Sequence, residues 1–314
     1  MGRRRKSGRS VNGVLLLNKP IGTTSNKVLQ KVRWIFDANR AGHTGALDPL
    51  ASGVLPICFG EATKFSQYLL DSNKYYRSTY TLGISTATGD SEGEIISQQD
   101  ASKITWQQVE DKIKDVVGEI NQVPSMYSAL KHNGQPLYKL ARQGIEIDRP
   151  ARQITIFDYQ IIDFRSGTYP EVDVEVHCSK GTYIRTLAED LGKVLGCGAH
   201  VSALHRFKAG PYDETQTVTL DELEKLKDQG SLEQLDQLLK PVDTPVSGYP
   251  AVEFDKITAG YFQLGQAISA NKVFRQAQEG AIVRVFREGG VFLGIGTVTE
   301  DGKIAPKRLI VEDA

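Results

Sequence analysis

Apolar positions along this 314-residue chain follow two periods, near two and near 3.6 residues, and the places where one gives way to the other outline its elements. Residues 11–18, VNGVLLLN, are a mostly apolar run of the kind found in a buried strand, and Lys19-Pro20 ends it. IGTTS then supplies turn residues and a helix N-cap. From Ser25-Asn26 onward Val28, Val32, Ile35 and Phe36 recur at helical spacing, leaving Lys27, Lys31 and Arg33 on the other faces. An open loop is expected over 39–53, then an apolar segment to Gly60 and a helix-like ATKFSQYLL, which Asp71-Ser72-Asn73 breaks. From Lys74 to Ile84, β-branched and aromatic residues with Tyr76 and Tyr80 on one parity predict a strand, and TATGDSEGE a loop. Thr105 and Gln108 form a capping box ahead of the stripe Val109, Ile113, Val116, Val117, Ile120, a helix expected to fray at Gly118.

Residues 153–178 alternate, most clearly at Val172, Val174, Val176 and Cys178, which predicts two strands. Thr186 is the expected cap of a helix carrying Leu187, Leu191, Val194 and Leu195 and stopped by Gly196, so Arg185 falls at a strand-to-helix junction, with Tyr183 on its face. An acidic, helix-like stretch covers 220–240. Three prolines in PVDTPVSGYP set a boundary near 248, and residues 251–314 turn often enough for a small β-rich barrel or sandwich.

Composition keeps the chain among ordinary globular proteins, with 40% hydrophobic residues and no run approaching the roughly 20 apolar residues of a membrane span. The basic start MGRRRKSGRS leads into an apolar segment too short for a secretory signal, so a cytoplasmic location is expected. Cys58, Cys178 and Cys197 are too scattered for a disulfide framework, in keeping with that compartment. Net charge changes the picture more. It is zero overall, yet residues 1–45 hold ten Lys or Arg against Asp37 alone, and residues 211–240 hold eight acids against three lysines. Residues 1–10 read as a basic flexible tail, but half of those ten charges lie beyond it, so a phosphate-rich partner is expected on the N-terminal side. Residues 124–152 interleave Lys131, Lys139, Arg142, Arg149 and Arg152 with Tyr127 and Tyr138, a composition that suits either an RNA surface or an exposed insertion.

Candidate chemistry concentrates in AGHTGALDPLASGVLPI, residues 41–57. Gly42, Gly45 and Gly53 permit backbone shapes closed to other residues, and Asp48-Pro49 initiates a turn whose tip is a carboxylate, with His43 five residues upstream. Locally this reads either as a structural Asp-Pro turn with a surface histidine or as a catalytic carboxylate. Elsewhere, Cys197, His200 and His205 lack a fourth metal ligand nearby, and the GIG at 294–296 lacks the pattern of a dinucleotide loop. Neither a metal nor a cofactor is expected.

Four segments taken together carry a resemblance: GHTGALDPLASGVLP, KYYRSTYTLG, SKGTYIRTLAEDLG and GAHVSALHRFKAG, in this order and at these separations. They are similar to the bacterial TruB-type tRNA pseudouridine synthases, and the likeness runs through nearly the whole chain, including PSMYSALK and a C-terminal segment similar to a PUA RNA-binding domain. The resemblance implies an α+β pseudouridine synthase fold, with a central mixed, largely antiparallel sheet flanked by helices. It implies a catalytic domain over 11–248 with an RNA-binding insertion at 124–152 (Lys131, Lys139, Arg142), and a PUA-like domain over 249–314, where Lys303, Lys307 and Arg308 are further candidates for RNA contact.

The implied activity is isomerisation of the tRNA T-loop uridine at the position conventionally numbered 55. The base would be flipped out, its glycosidic bond cut with Asp48 as the essential aspartate, and C5 rejoined to the sugar. By the same resemblance His43 lies against displaced loop nucleotides, Tyr76 stacks on the flipped base, Tyr183 and Leu204 shape the pocket, and Arg185 and Lys19 support Asp48. The tRNA T stem-loop is the implied partner, with no obligatory protein partner and no membrane. A tRNA-folding role can accompany the chemistry. One departure stands out: the family often carries two basic residues after the leucine, where this chain has His205 before Arg206.

Overall fold

A computed structural model describes residues 8–269 and 278–311. In chain order, β1 (Gly13–Lys19) leads to α1 (Ser25–Ile35), and β2 (Ala41–His43) and β3 (Ser52–Phe59) flank the glycine-rich turn. α2 (Ser66–Asp71), β4 (Lys74–Leu82), a ribbon of β5 (Ile84–Thr86) and β6 (Ile95–Gln98), α3 (Trp106–Lys114) and β7 (Gly118–Gln122) follow. The insertion holds β8 (Lys131–His132), β9 (Gln135–Pro136) and α4 (Leu137–Ala141). Next come β10 (Arg152–Arg165), β11 (Glu171–Cys178), α5 (Ile184–Val194), β12 (Ala199–Ala209), β13 (Tyr212–Asp213), α6 (Leu220–Asp228) and α7 (Leu232–Gln237). The C-terminal part is β14 (Ala251–Phe254), α8 (Lys256–Gln263), β15 (Ile268–Ser269), β16 (Ile282–Arg287), β17 (Val291–Val298) and β18 (Lys303–Leu309).

The large sheet runs β1-β3-β12-β4-β11-β10-β7, with β2 on β3 and β13 on β12. All its pairs are antiparallel except β3 with β12, where His205 lies opposite Ser52 and Arg206 opposite Gly53. One face is closed by α3 and α5: Val172, Val174, Val176 and Cys178 from β11 meet Tyr80, Val109, Ile113, Leu187 and Leu191 there. The 2-residue alternation of β11 and the 3.6-residue stripes of the helices are therefore two halves of one core. A second core under α1 takes Val28, Val32, Ile35 and Phe36, the stripe read from sequence. The smaller sheet, β14-β16-β17-β18-β15, has its own core around Phe262 and Leu293. It is tied to the large part by Phe65 against Phe292 (ring centroids 5.4 Å apart), by the Arg284–Asp243 ion pair at 3.1 Å, and by Lys64 donating to Leu309 O at 2.9 Å.

Several local expectations change. The capping box at Thr105 and Gln108 forms, but α3 ends at Lys114, because Gly118, at φ +107°, opens β7 and Ile120 pairs with Ile154 on β10. α5 begins at Ile184 with Tyr183 as its cap residue, so Thr186 is inside the helix, buried, its hydroxyl bonded to nothing among the described residues. Val194 points outward at 61% exposure, since the helix turns it away from the sheet. Residues 1–7 of the expected basic tail lie outside the described residues, and Arg9 is already anchored by two bonds to Asp236, each 2.6 Å, and one to Phe36 O. Lys31 and Arg33 are engaged within the protein, Lys31 with Glu224 and Arg33 with the carbonyls that follow α1. No described helix is long and apolar enough to cross a membrane.

Candidate active site

The turn carrying Asp48 is pinned along its whole length. Thr44 N donates to Pro56 O, Ser25 Oγ accepts from Leu47 N at 2.8 Å, Gly22 N donates to Pro49 O, and Ala51 N closes the turn on Asp48 O. Glycine is required twice. At Gly53 (φ +106°) a Cβ would lie 2.2 Å from Arg206 O, and at Gly45 the positive φ of +92° itself calls for glycine, with Arg206 Nη1 at an ordinary contact distance of 3.4 Å. Gly42 sits in ordinary strand backbone with open space around it, so the sequence-based reading of that glycine does not hold.

Asp48 stands at a cleft of about 430 Å³ lined by Tyr76, Tyr183, Arg185, Leu204 and Arg206, with Ser128, Ala129 and Leu130 of the insertion on one side. Arg185, 5% exposed, reaches Asp48 Oδ2 with Nε at 3.0 Å. Its remaining nitrogens donate to Thr88 O (2.9 Å) and Tyr127 O (2.8 Å), and Nη1 also lies 3.4 Å from Asp90 Oδ2. Burial pushes the Asp48 carboxyl above the usual carboxylate range, with Asp90 adding to the push, while Arg185 and Lys19 pull it back. The Asp48 side chain still keeps 39% of its surface, so its carboxylate faces the cleft and is not sealed beneath it.

Lys19 does not line the cleft. It is fully buried below, donating from Nζ to Pro20 O and Thr23 O at 2.8 Å each, and so shapes the turn whose Gly22 holds Pro49. Burial lowers its pKa to about 8, with Asp48 opposing. Tyr76 projects from the middle of the sheet on the core face. Burial raises its hydroxyl pKa, and the Arg206 guanidinium beside it acts in the opposite sense. His43, on β2, lies outside the cleft wall; burial first and Arg206 second lower its pKa, and its Nδ1 is buried without a hydrogen bond among the described residues. Lys131, Lys139 and Arg142 are all exposed on the insertion, away from the cleft lining.

Lys74 on the cleft wall, Asp90, Gln122 and Arg206 are not singled out by the sequence. Asp90 came from a glycine-rich loop with no signal beyond its composition. Gln122, at the end of β7, clamps the backbone of Tyr183 from 61 residues away. Arg206 enters the sequence reading only as the second of two residues where the family often has a basic pair, and the two part company: Arg206 is 1% exposed and lines the cleft, whereas His205 bonds Ser52 and Glu214 at 2.8 Å each on the opposite face. A period of two would have separated them, since neighbours on a strand face opposite ways. Cys197 and His200 are likewise engaged apart from His205, His200 Nδ1 lying 3.0 Å from Ile84 O and Cys197 Sγ donating to Gly198 O.

A mixed sheet that carries Tyr76, Leu204 and Arg206 into one cleft with a pinned aspartate turn and the first turn of a core helix defines a pseudouridine synthase fold. Known structures of similar architecture include one titled "Crystal Structure of a Cbf5-Nop10-Gar1 Complex" (TM-score 0.70, 25% identity, 96% of this chain and 84% of that one). Another shows an H/ACA RNP bound to a substrate RNA containing 2'-deoxyuridine (TM-score 0.71, 21% identity, 99% and 92%). Residues 33–184 match the family described as TruB family pseudouridylate synthase (N terminal domain). Residues 185–247 match the tRNA pseudouridylate synthase B C-terminal domain, and 250–310 match Pseudouridine synthase II TruB, C-terminal. The chain belongs to the TruB family of pseudouridylate synthases. It is 52% identical over 310 residues to the tRNA pseudouridine synthase B of Saccharophagus degradans, covering 99% of each chain, and 50% identical over 306 residues to that of Ectopseudomonas mendocina, covering 98% and 97%.

Proposed function

We propose that the protein isomerises the T-loop uridine of tRNA, at the position conventionally numbered 55, to pseudouridine, with Asp48 as the essential carboxylate. The observation that carries this reading is the Asp48–Arg185 contact of 3.0 Å at the mouth of a cleft bordered by Tyr76. Cutting the glycosidic bond develops positive character on the sugar, which an ionised carboxylate meets, and Arg185 keeps that carboxylate ionised and aimed. Tyr76 offers a flat surface on which the detached base can turn from N1 to C5. Tyr183 and Leu204 narrow the cleft around the base, and flipping it out costs a few kcal/mol of stacking that such contacts offset. His43, set beside the cleft, fits a contact to nucleotides displaced with the target. The exposed cations of 124–152 fit the phosphates of the T stem, and the unit over 249–314 fits a second RNA contact.

Purified protein incubated with an unmodified tRNA transcript should form pseudouridine at that one position and release no free uracil. Asp48→Asn should abolish the product and leave tRNA affinity within about threefold, because the substitution removes one charge and keeps the shape. Full activity in Asp48→Asn, or release of uracil, would overturn the reading. tRNA folding that survives in Asp48→Asn would show that a second, non-catalytic service coexists with the first.

A further inference from the structure

The cleft is polarised. On one side Asp48 and Asp90 surround Arg185, and Glu92 is close enough that both carboxylates help raise its pKa after burial has done so. On the other side stand two cations that line the cleft and are all but sealed from solvent, Arg206 at 1% and Lys74 at 6% exposure. Both are held by main-chain carbonyls, Arg206 from Nε to Val54 O at 2.9 Å and from Nη2 to Gly45 O at 3.1 Å, and Lys74 to Leu69 O, Leu70 O and Ser72 O, with the neutral Tyr76 hydroxyl also beside Arg206. Among the described residues neither has a carboxylate at ion-pair distance. Arg206 weighs on the cations around it: burial and then Arg206 push Lys74 down to about 8, and Arg206 also disfavours the charged form of His43. A buried guanidinium held without a counter-charge is costly for folding, and such uncompensated charge concentrates where a reaction needs it.

We propose that Arg206, with Lys74 behind it, stabilises the negative charge that appears on uracil when the C1′–N1 bond breaks. This rests on the function proposed above. In the cleavage the bonding electron pair leaves with N1 and spreads over the uracil ring, while C1′ is left electron-poor next to Asp48. When C5 bonds to C1′, the C5 hydrogen departs as a proton and N1 takes one up, so the charge on the base is transient and no oxidant or reductant is consumed. Arg206 is placed for this role because it is the cross-strand neighbour of Tyr76, lying opposite it between β12 and β4. A base lying against Tyr76 is therefore next to the cation, and the same cleft presents the Asp48 carboxylate to the sugar and cations to the base. The two walls match the charge separation of the transition state, the arrangement in which fixed charges act without reorganising.

A leaving-group experiment separates this role from a purely structural one. Fluorine at C5 makes uracil a better leaving group, so its cleavage depends less on help from the protein. Single-turnover loss of the starting nucleoside is followed on T stem-loops carrying uridine or 5-fluorouridine at the target. Arg206→Gln should slow uridine cleavage roughly 100-fold but 5-fluorouridine cleavage about ten times less, with RNA affinity near that of the unaltered protein. Arg206→Lys, which keeps the charge, should restore the unaltered ratio between the two substrates. Should Arg206→Gln fail to fold, Lys74→Met carries the same test with a smaller expected difference. Equal losses on both substrates, or a loss confined to RNA affinity, would overturn the assignment while leaving the proposed function intact. An unaltered protein that forms no pseudouridine would instead remove the proposed function itself.

Discussion

Gln122 holds Tyr183 by both ends of its amide: Oε1 accepts from Tyr183 N at 2.8 Å, and Nε2 donates to Tyr183 O at 3.1 Å. Tyr183 precedes α5, so this clamp fixes where the helix starts and with it the position of Arg185. Gln122 is 2% exposed, and its removal strands two main-chain groups. Gln122→Ala is expected to cost about 1–3 kcal/mol in denaturant unfolding and to lower kcat more than it raises KM. Gln122→Glu, which can still accept from Tyr183 N but faces the carbonyl with a like partial charge, should not recover full stability. A neutral effect of both would show that the clamp is dispensable.

Activity should fall at low pH in a way that reports on Arg185. If Asp48 acts as proposed it has to be ionised, so the rate should drop as pH falls through its pKa, and burial sets that pKa above the ordinary value of about 4. Arg185 pulls it down, so Arg185→Met should shift the acid limb to higher pH as well as reduce the plateau, while Arg185→Lys should shift it less. Single-turnover rates between about pH 5 and 8 decide the matter, and a limb that stays in place would mean Arg185 does not govern the ionisation.

Gly53→Ala tests the close approach of β3 and β12. The residue has φ +106°, and the added Cβ would lie 2.2 Å from the carbonyl oxygen of Arg206, so the pairing must open. Backbone strain alone costs about 1–3 kcal/mol, and thermal unfolding should show at least that loss. Arg206 and Asp48 would separate in the process, so the surviving folded fraction should be less active. Gly42→Ala is the control: its Cβ meets open space, and stability should be near that of the unaltered protein.

Contacts from the insertion to RNA should be read in salt rather than in rate. Lys139 and Arg142 are exposed at the end of a short helix whose Leu137 and Leu140 are buried. If they meet phosphates, Lys139→Ala and Arg142→Ala should each reduce the slope of log affinity against log salt by roughly 1 and leave the single-turnover rate at saturating tRNA unchanged. Unaltered slopes in both variants would assign the insertion a role other than phosphate contact.

Local physics in the sequence determined a good deal. The capping box at Thr105, the stripe of α1, the alternation of β11 and the Asp48-Pro49 turn are all settled within a few residues. Each depends on propensity and periodicity, which the chain carries without its partners. The order of the four motifs added the family and, through it, the roles expected of Asp48, Tyr76 and Arg185. The tertiary structure decided what depends on distant residues. A period of two shows that Arg206 and His205 face opposite ways, but only the pairing of β12 with β3 and β4 shows that Arg206 takes the cleft and His205 the outer face. α5 starts two residues before the expected cap at Thr186, and its cap residue is held by an amide 61 residues away and not by a neighbouring hydroxyl. Asp90 joined Arg185 for the same reason: a buried guanidinium has to be satisfied by whatever the fold brings within reach, and sequence spacing does not record that distance.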